Sequence, residues 1–253
     1  MIRPASGEEH HSEHSHASGH PHRHFDETTG TWFEHEHASK SQPSVIELYE
    51  PILARNDRLA ERNRGFFEAH GVRALNLMSS PGAGKTTLLE KTLTSLPAGS
   101  AAVLVGDLAT DLDGRRLDGR GAQVLQITTG TACHLDAVMV AEASRQLHWE
   151  GLKLLLIENV GNLVCPASFD LGESQRVILF SVTEGEDKPL KYPPVFHRAD
   201  LVLVTKTDMA AAAGFDRELA LENLAIAAPH ARVIELSART GEGMDAWLAW
   251  LQG

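Results

Sequence analysis

One stretch constrains the fold of this chain more than any other: residues 75–90, which read LNLMSSPGAGKTTLLE. The apolar run VRALNLM precedes its glycine-rich centre, and TTLLEKTLTSL, a run with helical periodicity, follows it. A buried strand, a glycine-rich turn and a helix N-terminus in this order direct backbone N–H groups and the positive end of a helix dipole at phosphate oxygens. The stretch therefore predicts a P-loop, and with it an α/β protein that binds a nucleoside triphosphate.

The positions of this P-loop have predicted roles. Lys85 is expected to neutralise the β- and γ-phosphates, and the Thr86 hydroxyl is expected to bind magnesium. The motif G-x-x-x-x-G-K-[ST] asks for glycine where Ser79 stands, although serine still allows the turn. A flexible glycine-rich loop before a helix is the alternative interpretation. The predicted nucleotide contacts are Ser80, Gly82, Ala83, Gly84, Lys85, Thr86 and Thr87.

The rest of the chain alternates strand-like and helix-like segments, which is typical of a doubly wound, mostly parallel sheet. We expect this P-loop domain to span residues 72–253. Residues 45–71 indicate a helical segment, in which Pro51 should interrupt an early turn and Gly71 should cap the end. With 253 residues and 42% hydrophobic side chains, the chain is long enough for one such domain and a tail.

Two acidic residues end predicted strands at positions suited to a magnesium ion. Asp107 ends the strand after the P-loop helix, and Glu158 ends the apolar strand LKLLLIE. Ligands of parallel sheets bind at the carboxyl ends of the strands, and Mg²⁺ prefers oxygen donors. We therefore expect Asp107 and Glu158 to bind Mg²⁺ with Thr86, and these three residues and Lys85 to form the catalytic set. An exposed strand-end acid without a ligand is the alternative for Glu158.

Two later motifs favour guanine over adenine. In LVLVTKTDM, Lys206 and Asp208 stand in the order of the guanine motif N-K-x-D, with Thr205 in place of its asparagine. A carboxylate can accept hydrogen bonds from N1–H and the 2-amino group of guanine, which adenine cannot offer. After RVIEL, the loop Ser237-Ala238-Arg239 resembles the S-A-K loop whose backbone N–H groups contact guanine O6. Together the two motifs predict GTP as the nucleotide.

Thiol and imidazole groups stand in two further loops. Cys133 and His134 follow the turn TTGTA, where we expect a helix to start, and Cys165 lies seven residues beyond Glu158. Two thiolates and one imidazole suit Zn²⁺ or Ni²⁺, and three ligands leave room for a second copy, water or a partner. Because the Cys165 loop begins at a predicted magnesium ligand, we expect this metal site to sense the nucleotide. Two unrelated buried thiols, or one disulfide, are the alternatives.

Residues 1–44 hold nine of the 14 histidines, separated by serine, glycine, glutamate and proline. Such a segment buries too little apolar surface to offset its ordering entropy, so we predict disorder. Imidazole binds nickel, zinc and copper, and a mobile array of imidazoles can store nickel weakly. A merely solvated low-complexity tail is the alternative. The predicted storage ligands are His10, His11, His14, His16, His20, His22 and His24.

Composition argues against several classes of partner. A formal net charge of −11, without a basic stripe, argues against a nucleic-acid surface. No apolar run approaches the roughly 20 residues that cross a bilayer, so membrane insertion is not expected. Two cysteines, and a start (MIRPASGEEHH) that lacks the core of a signal peptide, predict a protein of the reducing cytoplasm.

The predicted loops carry strings that together resemble one family: MSSPGAGKTTLLE, GDLATDLD, TGTACHLD, ENVGNLVCP, LFSVTEGEDKPLKYP, TKTD and SARTGEG. Over residues 45–253 the chain is similar to the hydrogenase nickel-incorporation GTPases (HypB), which belong to the SIMIBI class of P-loop GTPases. The resemblance implies slow hydrolysis of GTP and delivery of nickel to the large-subunit precursor of [NiFe]-hydrogenase. It also implies a homodimer, a small zinc-containing nickel accessory protein as partner, and nickel or zinc at Cys133, His134 and Cys165.

Two features depart from the family pattern. Some members carry an N-terminal C-x-x-C-G-C nickel motif, whereas this sequence has no cysteine before Cys133. Its histidine-rich tail resembles the storage tails of other members. Thr205 is the second departure. A urease-type or cobalamin-type accessory GTPase, and a nickel or zinc storage protein, are the alternative functions.

Overall fold

A short antiparallel hairpin lies in the histidine-rich segment. The computed structural model describes residues 22–26, 31–35, 45–107 and 112–252, and the chain divides into a unit of residues 1–48 and a unit of residues 49–253. In the first unit, β1 (His22–Asp26) pairs with β2 (Thr31–His35), with Phe25 opposite Trp32 in the register. Aromatic residues are enriched in strands, which agrees with pairing at this place.

The predicted histidine tail is described only at these two strands. His22 and His24 lie on β1. The remaining predicted storage ligands lie outside the described residues: His10, His11, His14, His16 and His20. Disorder of residues 1–44 therefore stays a prediction for the part of the tail beyond the hairpin.

The described part of the second unit contains one sheet of seven parallel strands. These are β3 (Arg73–Ser79), β4 (Ala101–Asp107), β5 (Gln123–Thr128), β6 (Leu154–Glu158), β7 (Gln175–Ser181), β8 (Leu201–Thr205) and β9 (Arg232–Glu235). Across the sheet their order is β5-β4-β6-β3-β7-β8-β9, which makes the P-loop strand β3 central. The predicted fold, a doubly wound parallel sheet of the P-loop type, is confirmed.

Helices connect and cover the strands: α1 (Val45–Ala69), α2 (Lys85–Ser95), α3 (Leu112–Leu117), α4 (Ala137–Ser144), α5 (Lys188–Lys191), α6 (Pro193–His197), α7 (Ala210–Ala213), α8 (Arg217–Ala227) and α9 (Met244–Leu251). Short 3-10 turns occur at Cys165–Ser168, Val182–Glu184 and Thr207–Met209. In the described part of the chain, no helix combines the length and the apolar character that crossing a membrane requires.

Alternate strand residues face two apolar layers. On one face of the sheet, Leu75 and Leu77 of β3 share a core with Trp247 of α9. On the other face, Ala74 of the same strand shares a core with Phe67 of α1. All five side chains are essentially inaccessible to water. Because helices cover both faces, ligands bind at the carboxyl edge of the sheet, where the loops after the strands gather.

Helix α1 is continuous through Pro51, so the predicted interruption there is wrong. Proline cannot donate to the carbonyl of Glu47, but at the seventh position of the helix this removes only one bond near the start. Gly71 caps the end as predicted. It has a φ of 64°, and its N–H donates to the carbonyl of Glu68 at 2.9 Å.

Two buried asparagines attach α1 to the start of α4 and to the loop before β7. Asn63 Nδ2 donates to the carbonyl of Ala137 at 2.8 Å and to that of Leu171 at 2.9 Å. Asn56 accepts from the N–H of Ala137 at 2.9 Å and donates to the carbonyl of Asp170 at 2.7 Å. The helix thereby fixes the start of α4 and the loop before β7 relative to each other.

We expect Asn63→Ala to lower the free energy of unfolding by about 1–3 kcal/mol, because it leaves two buried carbonyls without their donor. Urea denaturation followed by circular dichroism measures this. Arg62→Ala, at an exposed neighbouring position of the same helix, is the control and should change stability by less than about 0.5 kcal/mol. Equal stability of the two variants would contradict the role of the Asn63 amide.

Candidate nucleotide and metal site

The P-loop is the turn between β3 and α2. β3 ends at Ser79, and α2 begins at Lys85. Between them, Gly82 and Gly84 have φ values of 77° and 101°, a region that favours glycine. Lys85 Nζ donates a hydrogen bond to Ser79 Oγ at 2.8 Å. The serine at the first motif position therefore contacts the lysine and helps to hold it over the turn.

Glu158 lies beside the first turn of α2. Thr86 Oγ1 donates to Glu158 Oε1 at 2.8 Å, and the Glu158 residue is only 3% exposed. Burial raises the pKa of Glu158 to about 7, although Lys85 and the Thr86 hydrogen bond act in the opposite direction. Burial also lowers the pKa of Lys85, against the attraction of Glu158. Both groups are thus desolvated, and each charged form gains from a further partner of opposite charge.

The second carboxylate oxygen of Glu158 marks the place of that partner. Oε2 is buried and has no hydrogen-bond partner among the described residues. Asp107, at the end of β4, lines the same cleft as Glu158, Lys85 and Thr86. We call this space, of about 520 Å³, the P-loop cleft. A hydroxyl and two carboxylates, one with an unpaired buried oxygen, fit the oxygen-donor preference of Mg²⁺.

A second space, of about 450 Å³, adjoins the P-loop cleft and shares Gly84, Thr87 and Lys206 with it. We call it the TKTD pocket. Its lining includes Ala83, a predicted P-loop contact, and the remaining residues predicted to contact the base: Asp208, Ser237, Ala238 and Arg239. Gly82 lines the P-loop cleft, whereas Ser80 lines neither space and uses its carbonyl to accept from Ser79 Oγ at 2.6 Å.

Hydrogen bonds connect the loops of the TKTD pocket. Thr205 Oγ1 donates to the carbonyl of Ala83 at 2.8 Å, which ties the end of β8 to the P-loop. Ser237 Oγ donates to Asp208 Oδ1 at 2.6 Å, and Arg239 Nη1 lies 3.8 Å from Asp208 Oδ2. The carboxylate is therefore held between two loops. The threonine that departs from the guanine motif has a specific contact of its own.

Cys133, His134 and Cys165 come together although they lie in different loops. Their ligand atoms all lie within 4.8 Å of one another, and Cys133 Sγ is 3.9 Å from His134 Nδ1. Both cysteines are free thiols, so the structure does not contain the disulfide considered above. Zinc bonds to sulfur and nitrogen are about 2.0–2.3 Å long, so small movements of these side chains let one ion contact all three.

The surroundings of His134 and Cys165 shift the pKa of each of these two groups. His134 stacks on Phe169 with ring centroids 3.9 Å apart. Burial lowers the pKa of His134, partly offset by Asp136, and neutral imidazole is the form that binds metals. The pKa of Cys165 is raised, first by a hydrogen bond with Cys133 and then by burial. A bound metal therefore has to displace a proton from Cys165.

The expectation that Cys133 and His134 start a helix is wrong. α4 begins at Ala137, and Asp136 is its N-cap, because Asp136 Oδ1 accepts from the N–H of Met139 at 2.8 Å. The cap residue ends the loop, so the two candidate ligands lie before the helix.

Two close approaches, which the sequence reasoning missed, connect the metal loops to the nucleotide strands. A Cβ added at Gly161 would lie 3.2 Å from Pro81 Cα, so the Cys165 loop lies directly on the P-loop. A Cβ at Gly106 would lie 2.8 Å from Leu135 Cγ, so the Cys133 loop packs on the end of β4. A glycine within ENVGN and another before Asp107 are the only sequence signals of these contacts, and neither identifies its partner.

Comparison with known proteins agrees with this geometry. The family model for the CobW/HypB/UreG nucleotide-binding domain matches residues 73–235. The hydrogenase maturation factor HypB of Azotobacter chroococcum is 52% identical over 215 residues, which cover 84% of this chain and 70% of that protein. A protein of Helicobacter hepaticus named hydrogenase/urease maturation factor HypB is 46% identical over 183 residues, covering 71% and 75% of the two chains.

A solved structure is similar over the same region. HypB from Helicobacter pylori, determined in complex with nickel, has 39% identity and a TM-score of 0.75, and the match covers 78% of this chain and 94% of that one. The matches in sequence and in fold extend over most of both proteins. This chain belongs to the HypB family of hydrogenase maturation factors.

Proposed function

We propose that this chain is a slow GTPase that binds nickel and delivers it for the maturation of [NiFe]-hydrogenase. One observation carries the proposal: the ligand atoms of Cys133, His134 and Cys165 lie within 4.8 Å of one another, on loops that pack against the P-loop and β4. Membership of the HypB family, and the nickel complex of the Helicobacter pylori relative, support it.

Hydrolysis in this proposal depends on positioning and charge. Lys85 and the backbone N–H groups of the P-loop hold the β- and γ-phosphates and stabilise negative charge in the transition state. Thr86, Asp107 and Glu158 would hold Mg²⁺, which when bound neutralises charge on the phosphate oxygens. Placing Lys85 against Ser79 keeps the ammonium at the turn before the nucleotide arrives, so little reorganisation is needed on binding.

Guanine selection rests on the TKTD pocket. Asp208 would accept from N1–H and the 2-amino group, Lys206 would lie along the ring, and backbone N–H groups in Ser237-Ala238-Arg239 would contact O6. The Thr205 bond to Ala83 gives this pocket a fixed position relative to the phosphates.

Nickel is the proposed cargo, and zinc is the alternative occupant at rest. Two thiolates and an imidazole suit both ions, and a site with three ligands has an open position. A second copy of the chain, in a homodimer, or an accepting partner would fill it. The proposed partners are the small zinc-containing nickel accessory protein and the precursor of the hydrogenase large subunit, and the proposed location is the cytoplasm. The histidines of residues 1–44 would act as a weak nickel store.

Supply of nickel to urease is the second candidate function. It is favoured by the relative from Helicobacter hepaticus, whose name includes both hydrogenase and urease maturation. Hydrogenase and urease activities measured in a deletion strain complemented with this chain separate the two. Restoration of urease activity alone would assign the second function.

Lys85→Ala should reduce the rate of GTP hydrolysis about 100-fold or more, because the transferred phosphate loses its buried cation. Phosphate release under saturating GTP measures this. Lys153→Ala removes an exposed lysine elsewhere in the domain and should leave the rate unchanged. Retained turnover in the Lys85 variant would overturn the assignment of the P-loop as the hydrolytic site.

Thr205→Val should weaken GTP and GDP binding about five- to tenfold, because it removes a bond worth about 1 kcal/mol between the base loop and the P-loop. Fluorescent-nucleotide titration gives the affinities. Thr94→Val is a matched control, since Thr94 also donates to a backbone carbonyl but on an exposed helix surface. If both variants bind GTP like the wild type, the Thr205 contact does not support the pocket.

His134→Ala should lower the nickel affinity about tenfold or more, because one of three ligands is lost. Competition with a chromophoric chelator measures the affinity at fixed pH. His148→Ala, which removes an exposed histidine of the same domain, should have no effect. Unchanged nickel binding in the His134 variant would remove the basis of the proposed function.

A further inference from the structure

We infer that Asn159 is a positioning residue that holds the two halves of the nickel centre to each other and to the P-loop strand. The inference rests on the proposed nickel function of Cys133, His134 and Cys165. It adds to that function a residue that binds neither nickel nor nucleotide in this scheme, and a route by which the nucleotide changes the nickel site.

Asn159 follows Glu158 directly and is 1% exposed. Its side-chain oxygen accepts from two backbone groups, the N–H of Leu135 at 3.1 Å and that of Val160 at 3.0 Å. Leu135 is the neighbour of His134, and Val160 lies in the loop that leads to Cys165. One carboxamide oxygen therefore joins the two metal-bearing loops.

The other half of the same amide binds the P-loop strand. Asn159 Nδ2 donates to Asn76 Oδ1 at 3.2 Å, and the backbone N–H of Asn159 donates to the carbonyl of Leu77 at 3.0 Å. Asn76 and Leu77 both lie in β3, which ends at the P-loop. The buried Asn159 side chain thus donates and accepts hydrogen bonds at the same time. Its removal would leave several backbone and side-chain groups without a partner.

The network continues to the ring that supports His134. Asn76 Nδ2 donates to Glu173 Oε1 at 3.3 Å, and Glu173 Oε2 accepts from the N–H of Leu171 at 2.7 Å. Leu171 lies two residues after Phe169, the stacking partner of the imidazole. The polar chain thus runs from β3 through Asn159 to one side of the nickel centre, and through Glu173 to the other.

Through this arrangement, a backbone movement caused by nucleotide binding would move the loops that bear the nickel ligands. Any backbone movement at Glu158 that accompanies a change at the phosphates must also move Asn159, and with it the loop bearing Cys133 and His134 through Leu135. Cys165 follows through the covalent chain, which lies against the P-loop at Gly161 and Pro81. Without the Asn159 amide, the Cys133 loop loses its hydrogen bond to this residue, and the nickel site should respond less to the nucleotide.

The test compares nickel affinity of the full chain in the presence of GDP and of a non-hydrolysable GTP analogue, together with the sulfur-to-nickel charge-transfer absorption. In the wild type we expect different affinities with the two nucleotides. Asn159→Ala should weaken nickel binding about tenfold or more, bring the ratio of the two affinities close to one, and shift the charge-transfer band. Asn223→Ala is the matched control, because it removes another buried amide, bonded to the carbonyl of Glu186 at 2.9 Å, and should retain the wild-type ratio and spectrum.

Asn76→Val separates the two roles of the Asn159 amide, which are to join the metal-bearing loops and to bind β3. It is also the alternative test variant if Asn159→Ala does not fold. It keeps the Asn159 bond to Leu135 and the backbone bond to Leu77 but removes the side-chain tie to β3. The spectrum should therefore stay near that of the wild type while the nucleotide dependence falls. A wild-type ratio and spectrum in Asn159→Ala, or a wild-type ratio in Asn76→Val, would overturn the positioning role. If the wild type itself binds no nickel at the three ligands, the proposed function fails and the inference fails with it.

Discussion

Glu158 is buried at the carboxyl end of β6, where its carboxylate meets the Thr86 hydroxyl and lies within the electrostatic influence of Lys85. Removing a carboxylate and an ammonium from water is costly, and neither group gains full compensation from the other here, since burial still raises the pKa of the acid and lowers that of the base. A phosphate for the lysine and a divalent cation for the unpaired carboxylate oxygen would balance both charges. The P-loop cleft therefore fits the proposed nucleotide with its metal, and the residue after Glu158 begins the loop that carries Cys165.

The sheet order explains why this one edge of the domain gathers so much chemistry. β4 lies between β5 and β6, and β6 lies beside β3. The Cys133 loop follows β5, the Cys165 loop follows β6, and the P-loop follows β3, so all three loops leave the sheet at the same edge. Because the strands are parallel, they all end at the same edge of the sheet. A polar residue that follows any of these apolar strands therefore lies at this edge.

That regularity is also why much of the site could be predicted. Residue type and position after a strand were sufficient to select Asp107, Glu158 and the thiol and imidazole groups, and a motif was sufficient for Lys85. No local sequence pattern predicts the order of the strands in the sheet. The prediction that Cys133 and Cys165 lie close together therefore depended on the metal preference of these residue types and on the family resemblance. The contacts of Asn63 with Ala137 and Leu171 span 74 and 108 residues, which is too far for a local sequence pattern to predict. Asn56 and Asn63 also occupy part of the buried face of α1, so its apolar stripe is interrupted. Thr205 departs from the asparagine of the guanine motif, and its hydrogen bond to the Ala83 carbonyl, 122 residues away, has no local signal in the sequence.

The two candidate cation sites differ in the way that their proposed roles require. Thr86 and Glu158 offer hard oxygen donors in a buried place, which suits an ion that stays with the phosphates through a turnover. Cys133, His134 and Cys165 offer softer donors, all half-buried, beside Val164, which is 64% exposed. A cargo ion has to be reached by the molecule that accepts it, and a ligand set of three on two loops can be opened by moving one loop. In this proposal, the softness of the donors would direct each ion to its own site. One short segment, from Glu158 through Asn159 to Cys165, would let the state of the first site influence the second.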